Sequence, residues 1–400
     1  MIFAISLLVK GLYLGLPAAA VVLWLTTKRP HLRRHILGAW ISGAIIAAAI
    51  LGAYVIAIGG HIGIGQIALA IYLGCAMMMM LRLFDHGLKS AIMRVVLDPK
   101  YPLNRRRIVI AALSRVVILT SIALPWVMSA VMVYRPRVQP SETPMTLMRV
   151  SFESPTFRAR DGTQIAGWYI AADEPGTTTV LLCHGLGASK AGMWMLMRTL
   201  HEAGINVLTI DLRAHGFSGG QLCSFGANES LDVLGAVDWL KSRHPQQSQR
   251  LVAIGASLGG TAIISAAAED QRIDAVAVLG TFDSLAALSR DVSSLHMAPP
   301  ISWLTRAFGL PMASMHVGAN LMRVAPGRQI GQIWPRPVLI VHGGNDEIIP
   351  FSHGQRLFDA AYEPREAKLT GDTHNGILEN PDVILKLLQF VTEAEPAPVI

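Results

Sequence analysis

The sequence predicts an α/β protein: a mostly parallel, eight-stranded sheet with helices on both faces, preceded by an all-helical membrane region. Three observations predict it. Long apolar runs are confined to the first 135 residues. Short β-rich runs alternate with helical ones over the remainder, and glycine turns bearing polar side chains close several of the strands. The 400 residues are 52% hydrophobic and 15% charged, whereas an ordinary globular domain carries about 25% charged residues.

Four stretches reach the length of roughly 20 apolar residues needed to cross a bilayer: 3–25, 36–58, 63–81 and 108–133. Together they define a transmembrane region over 1–134. Lys10 lies within two turns of an end of the first run, from which it reaches the interface. That run reads as a span rather than a cleaved leader. Pro17-Ala18-Ala19-Ala20 offers small residues for cleavage, but no positive charge precedes the apolar stretch and Lys10 interrupts it. Arg115 and Pro125 in the fourth run are tolerable near an end or against a neighbouring helix.

Charge divides the chain in the same place. Residues 1–140 hold 15 Lys/Arg against only Asp85 and Asp98, while the remaining 260 hold 19 Lys/Arg against 25 acids. The positive charge sits beside apolar runs, where it sets membrane orientation, and the acidic half shows no basic stripe interleaved with aromatics. A nucleic-acid partner is excluded on that pattern. Lys28, Arg29, Arg33 and Arg34 crowd one loop, and Arg82, Lys89, Arg94, Lys100, Arg105 and Arg106 another. The turn at Gly59-Gly60-His61 has no lysine or arginine. Both basic loops therefore belong in the cytoplasm. The amino terminus and the second half are then extracytoplasmic, and periplasmic in a Gram-negative cell. Within the second basic loop, Leu83, Phe84, Leu88, Ala91, Ile92, Val95 and Val96 recur at helical spacing, as in an interfacial helix or a short solvated connector. Cys75, Cys183 and Cys223 form no metal-binding spacing, so no metal or cofactor is expected. Cys183 and Cys223 read either as a pair or as two buried thiols.

Residues 135–147 are polar and proline-rich, a linker to a globular domain over 148–396. Its expected strands are 148–153, 165–171, 179–183, 206–210, 251–256, 274–279, 337–342 and 366–370. Its expected helices lie near 191–203, 228–242, 258–269, 352–362 and 381–394. In such sheets reactive groups gather at the carboxyl ends of strands.

Gly255-Ala256-Ser257-Leu258-Gly259 joins an apolar strand to an alanine-rich helix. A turn that tight holds a serine hydroxyl out at the positive end of a helix, and its glycines let strand and helix approach. Ser257 is the candidate nucleophile. His184-Gly185-Leu186-Gly187 follows Val180–Cys183 and can turn a backbone N–H toward that serine. The amides of Leu186 and Leu258 are the candidate oxyanion hole. Asp346 follows the strand Val338–His342 and a glycine turn, placed to orient an imidazole, and His374 follows the last strand as the candidate base.

These motifs, with Arg160-Asp161-Gly162, Gly167-Trp168 and Asp211-Leu212-Arg213-Ala214-His215-Gly216-Phe217-Ser218, resemble the α/β-hydrolase superfamily over residues 150–395. The chain is most similar to the branch of serine aminopeptidase-like and Bem46-like hydrolases, which often carry an amino-terminal membrane anchor. Members usually have glycine where this chain has Ala214. The resemblance implies the sheet topology and a Ser257–His374–Asp346 triad; it does not fix a substrate. Asp283 is the rival acid, Asp372 is too close in sequence to His374, and Arg213 and His215 read as braces. Glu347 reads as solvated, and His342 and His353 as satisfied loop histidines. Residues 284–336 fill the place of a cap, where Met297, Trp303, Leu304, Phe308, Leu310, Met312 and Met315 line an acyl pocket or form the cap's own core. The expected activity is cleavage of carboxylic ester, or related thioester or amide, bonds in a small or lipid-like acyl substrate beside the bilayer. The alternatives are a membrane serine peptidase or aminopeptidase, and a catalytically silent receptor or scaffold.

Overall fold

The computed structural model describes residues 129–393 apart from 136, 175, 297 and 298, together with positions 30, 34, 36–43, 45, 75, 78–79, 82, 109–110, 112–114 and 125–126. The chain divides into two compact units, Met1–Val131 and Met132–Ile400. Every described residue of the first unit is helical. The expected span 3–25 lies outside the described residues, as do most of the other three spans and all of the segment 82–107 except Arg82. Among the described residues, no helix is long and apolar enough to cross a membrane.

In the second unit one eight-stranded sheet is formed by β1 (Thr156–Arg158), β2 (Gln164–Ile170), β3 (Thr178–Cys183), β4 (Asn206–Asp211), β5 (Arg250–Ala256), β6 (Ala275–Leu279), β7 (Val338–Gly343) and β8 (Arg365–Thr370). Their order across the sheet is β1-β2-β4-β3-β5-β6-β7-β8. β1 and β2 pair antiparallel, β2 runs antiparallel to β4, and β3 to β8 are parallel.

The central strands are apolar on both faces because both are covered. Val180 and Leu182 of β3 and Val252 and Ile254 of β5 point to one side. They pack under α2 (Trp194–Glu202) and α9 (Pro381–Glu393), through Leu196, Met197 and Leu200 of the first and Val383, Leu387 and Phe390 of the second. The intervening residues, Leu181, Cys183, Leu251 and Ala253, face α3 (Glu229–Arg243) and α4 (Leu258–Glu269), with Leu357 of α8 (Phe351–Ala360) in the same cluster. Each such side chain removed from water contributes about 1.5–3 kcal/mol before the entropy of ordering it is counted. Between β6 and β7 the chain forms α5 (Leu285–His296), α6 (Pro299–Leu304), a wide turn over Thr305–Gly309, α7 (Leu310–Val317) and a string of short turns.

One expected strand is corrected. Residues 148–153 form no strand, only the isolated bridge Glu153↔Tyr169, and the first strand is Thr156–Arg158. Upstream, Pro144 begins α1 (Pro144–Met148), capped by Thr143, whose side chain accepts from the Thr146 N–H. Part of the expected linker is therefore helical. Arg137 also ties it down, donating to the carbonyls of Ser218 and Gly220.

Candidate active site

Ser257 leaves β5 with φ 52° and ψ −113°, a backbone conformation rare for a residue bearing a side chain. The neighbouring glycines make the turn possible. A Cβ on Gly255 would lie 2.4 Å from the Gly259 carbonyl carbon, one on Gly259 would lie 2.3 Å from the Cys183 carbonyl oxygen, and one on Gly260 would meet the Thr281 hydroxyl at 2.0 Å. The Ser257 N–H donates to the Leu279 carbonyl at 2.7 Å. This fixes the turn to the end of β6, and Leu258 opens α4 directly behind the hydroxyl.

At the ends of β7 and β8 the structure joins Asp346 to His374, with the imidazole Nδ1 2.6 Å from Asp346 Oδ2. The other carboxylate oxygen accepts from the backbone N–H groups of Ile348 at 2.9 Å and Ile349 at 2.7 Å. Burial acts to raise the Asp346 pKa, but the contacts with His374 and with those amides outweigh it and hold the carboxyl below its ordinary value. His374 packs against Gly280, where a Cβ would come within 3.3 Å of the ring. Gly280 follows Leu279, the residue that receives the Ser257 N–H, so serine and imidazole flank one short segment. Gly185 closes the other side: its Cβ position lies 3.4 Å from the Ser257 Cβ. The four strand ends thus gather Ser257, His374, Asp346 and the Gly185-Leu186 turn.

The rival residues are engaged elsewhere. Asp283 pairs with His353 and with Arg356, the latter at 2.8 Å. Asp372 accepts from the Asn380 amide at 2.6 Å. His342 and His353 lie in β7 and α8 rather than in loops. The His342 Nε2 is committed to the Ile349 carbonyl at 2.9 Å and stands 3.7 Å from Asp346. Burial lowers its pKa, so a neutral ring braces the acid's loop. Arg213 grips Asp161 and Asp232, both at 2.7 Å. Ala214, where the resemblance expects glycine, has φ 61°, which is the backbone reason for glycine there.

Between β6 and β7, Leu310 is buried in the main core, whereas Trp303 is 59% exposed and Phe308 38% exposed. Met297 and the Leu304 side chain lie outside what is described. Cys183 and Cys223 are unpaired, fully buried thiols, each with its pKa raised by burial. Among the described residues no cluster of three His, Cys, Asp or Glu side chains is arranged to hold a metal ion.

Comparison with known proteins decides the fold's kinship. Residues 178–312 match a family model described as the alpha/beta hydrolase fold. Those residues carry the α/β-hydrolase fold. The chain's hydrolase domain is similar to the uncharacterized protein YfhR of Escherichia coli, 29% identical over 228 residues that make up 56% of this chain and 72% of that protein. It is also similar to human protein ABHD12B, 24% identical over 56% of this chain and 64% of that one. Among solved structures, the Pyrococcus furiosus esterase Pf2001 superposes with a TM-score of 0.55 and 24% identity, over 66% of this chain and 98% of its own.

Proposed function

We propose that the protein is a membrane-anchored serine hydrolase that cleaves carboxylic esters through an acyl-enzyme. The observation that carries this reading is the 2.6 Å contact between Asp346 and the Nδ1 of His374, beside a serine held at φ 52° at the head of a helix. An ionised Asp346 keeps the proton on Nδ1 and leaves Nε2 as the basic nitrogen. The Ser257 hydroxyl then gives its proton to that nitrogen as its oxygen attacks the ester carbonyl. The amides of Leu186 and Leu258 receive the developing oxyanion, aided by the positive end of α4. The imidazolium returns the proton to the leaving alkoxide. Water, deprotonated by the same ring, releases the acid and restores the serine.

The four apolar runs of residues 3–133 support membrane anchoring, and their flanking lysines and arginines support an extracytoplasmic domain. A bilayer neighbour favours a lipid-like acyl group as substrate. The test is labelling of the purified full chain by a fluorophosphonate probe, with turnover of p-nitrophenyl esters. Both are expected in the wild type and lost in Ser257→Ala. An unlabelled wild type overturns the reading. For the orientation, a phosphatase reporter fused after residue 400 should be active, and a cytoplasm-only signal overturns it.

A further inference from the structure

Two histidines outside the proposed triad bracket the turn that carries Leu186. His184 and His215 are each 1% exposed, and their rings meet edge-on with centroids 5.0 Å apart. The His184 Nε2 faces the Leu212 backbone N–H at 3.1 Å. That group can only donate, so Nε2 carries the lone pair and Nδ1 the proton. The Nδ1–H in turn reaches the Gly185 carbonyl at 2.7 Å. His215 repeats the arrangement: its Nε2 accepts from the Gly187 N–H at 3.1 Å, and its Nδ1–H donates to the Arg213 carbonyl at 2.9 Å. Burial lowers the pKa of both rings, that of His184 to about 3, so both tautomers persist at neutral pH.

The Gly185 carbonyl and the Leu186 N–H belong to one planar trans peptide and point in opposite directions. A proton donor fixed on the carbonyl therefore fixes the direction of the N–H. It also polarises that N–H into a stronger donor. Gly187, on the far side of Leu186, is held through its own N–H, so the turn cannot rotate at either end.

We propose that His184 and His215 are positioning residues for the oxyanion hole, two neutral imidazoles that set the plane of the Gly185–Leu186 peptide and present the Leu186 N–H to the oxyanion. This rests on the serine-hydrolase reading above. Neither ring touches the reacting atoms. Their influence runs through a backbone group whose loss in an oxyanion hole slows turnover by about 10²–10³-fold.

The test separates the two jobs of His184 with two amides. Asn places its NH₂ near the position of Nδ1 and keeps the donation to Gly185. Gln reaches the position of Nε2 and keeps the contact with Leu212. In the purified full chain with p-nitrophenyl butyrate, His184→Asn should retain kcat within about tenfold, while His184→Gln should lose on the order of 10²-fold. KM should change less than about threefold in both, because ground-state binding does not use the hole. At the second ring, His215→Gln, which keeps an acceptor for Gly187, should exceed His215→Leu in kcat. Melting curves of all four variants report folding, so the comparison is made on folded protein. Equal kcat in the Asn and Gln variants, or the reverse order, shows that His184 merely packs, and the proposal falls. A wild type that neither labels at Ser257 nor turns over the ester removes the serine-hydrolase reading itself, a result distinct from either.

Discussion

Two aspartate–histidine pairs stand at neighbouring strand ends of the sheet, and their surroundings differ. Asp346 and His374 meet at 2.6 Å after β7 and β8, and Asp283 and His353 meet between the end of β6 and α8. In the first pair the carboxylate is spent on one imidazole nitrogen and two backbone amides, and the ring keeps 13% of its surface open. In the second the ring is wholly enclosed. Its Nδ1 rests on Asp283, and its Nε2 lies 3.3 Å from Asp291 of α5, within ion-pairing distance but not aligned as a hydrogen bond. Arg356 completes that cluster, 4.0 Å from Asp291. An imidazole with a carboxylate at each nitrogen has no face left for a serine. In the proposed mechanism, the state of the second nitrogen is what separates a base from a brace.

The contrast is sharpest in activity. His374→Ala or Asp346→Asn should lower kcat/KM for p-nitrophenyl butyrate on the order of 10⁴-fold. Asp283→Asn should leave it within about threefold, since that carboxylate acts on neither Ser257 nor His374. A large loss in Asp283→Asn together with a retained rate in Asp346→Asn would exchange the roles of the two acids.

Stability should run the other way. His353→Ala empties the space of a fully buried ring and removes its hydrogen bond to Asp283, a loss of about 3 kcal/mol. It also cuts the tie between α5 and α8. His374→Ala removes one contact from an aspartate that keeps its two amide donors, a loss of about 1 kcal/mol. Urea unfolding followed by circular dichroism checks both values. If His374→Ala proves the more destabilising, the second pair is not the structural one.

The sequence carried the parallel core of this fold because each of β3 to β7 is a short apolar run between glycine-rich or polar turns. It misled at the amino-terminal edge. Residues 148–153 alternate as a strand does, and Val150 and Phe152 do pack against the core. Alternation reports one buried face and cannot report whether a partner backbone runs alongside, and only Glu153 bridges. Thr156–Arg158 escaped notice because three residues behind Pro155 make too short a pattern. At the site, the glycines around Ser257 and the chain order of Ser257, Asp346 and His374 were legible. The standing of Asp283 against Asp346 was not, because it turns on which histidine each acid reaches across sequence separations of 28 and 70. The motif around His184 was legible but its positioning role was not, for the same reason: its tautomer is set by the N–H of Leu212, just past the end of β4.

The smallest effect separates the pairs by pH. Burial acts to raise both the Asp346 and the Asp283 pKa, and in both the hydrogen bonds win. His374 and the Ile349 amide lower the first, and His353 and Arg356 lower the second. A carboxyl whose folded pKa is depressed contributes stability that is fully present above its unfolded value of about 3.9 and is lost as the pH falls through the folded value. Asp283→Asn forfeits its ion pair with Arg356 and weakens the hydrogen bond with His353, so its melting temperature should fall below that of the wild type at pH 7. The gap should narrow as the pH drops below about 4 and the wild-type carboxyl takes up its proton. Asp346→Asn should show the same sign with a smaller gap, because an amide oxygen still accepts from Ile348 and Ile349. A gap for Asp283→Asn that does not change with pH would mean that shape rather than charge joins Asp283 to α8, and the second pair would no longer be electrostatic.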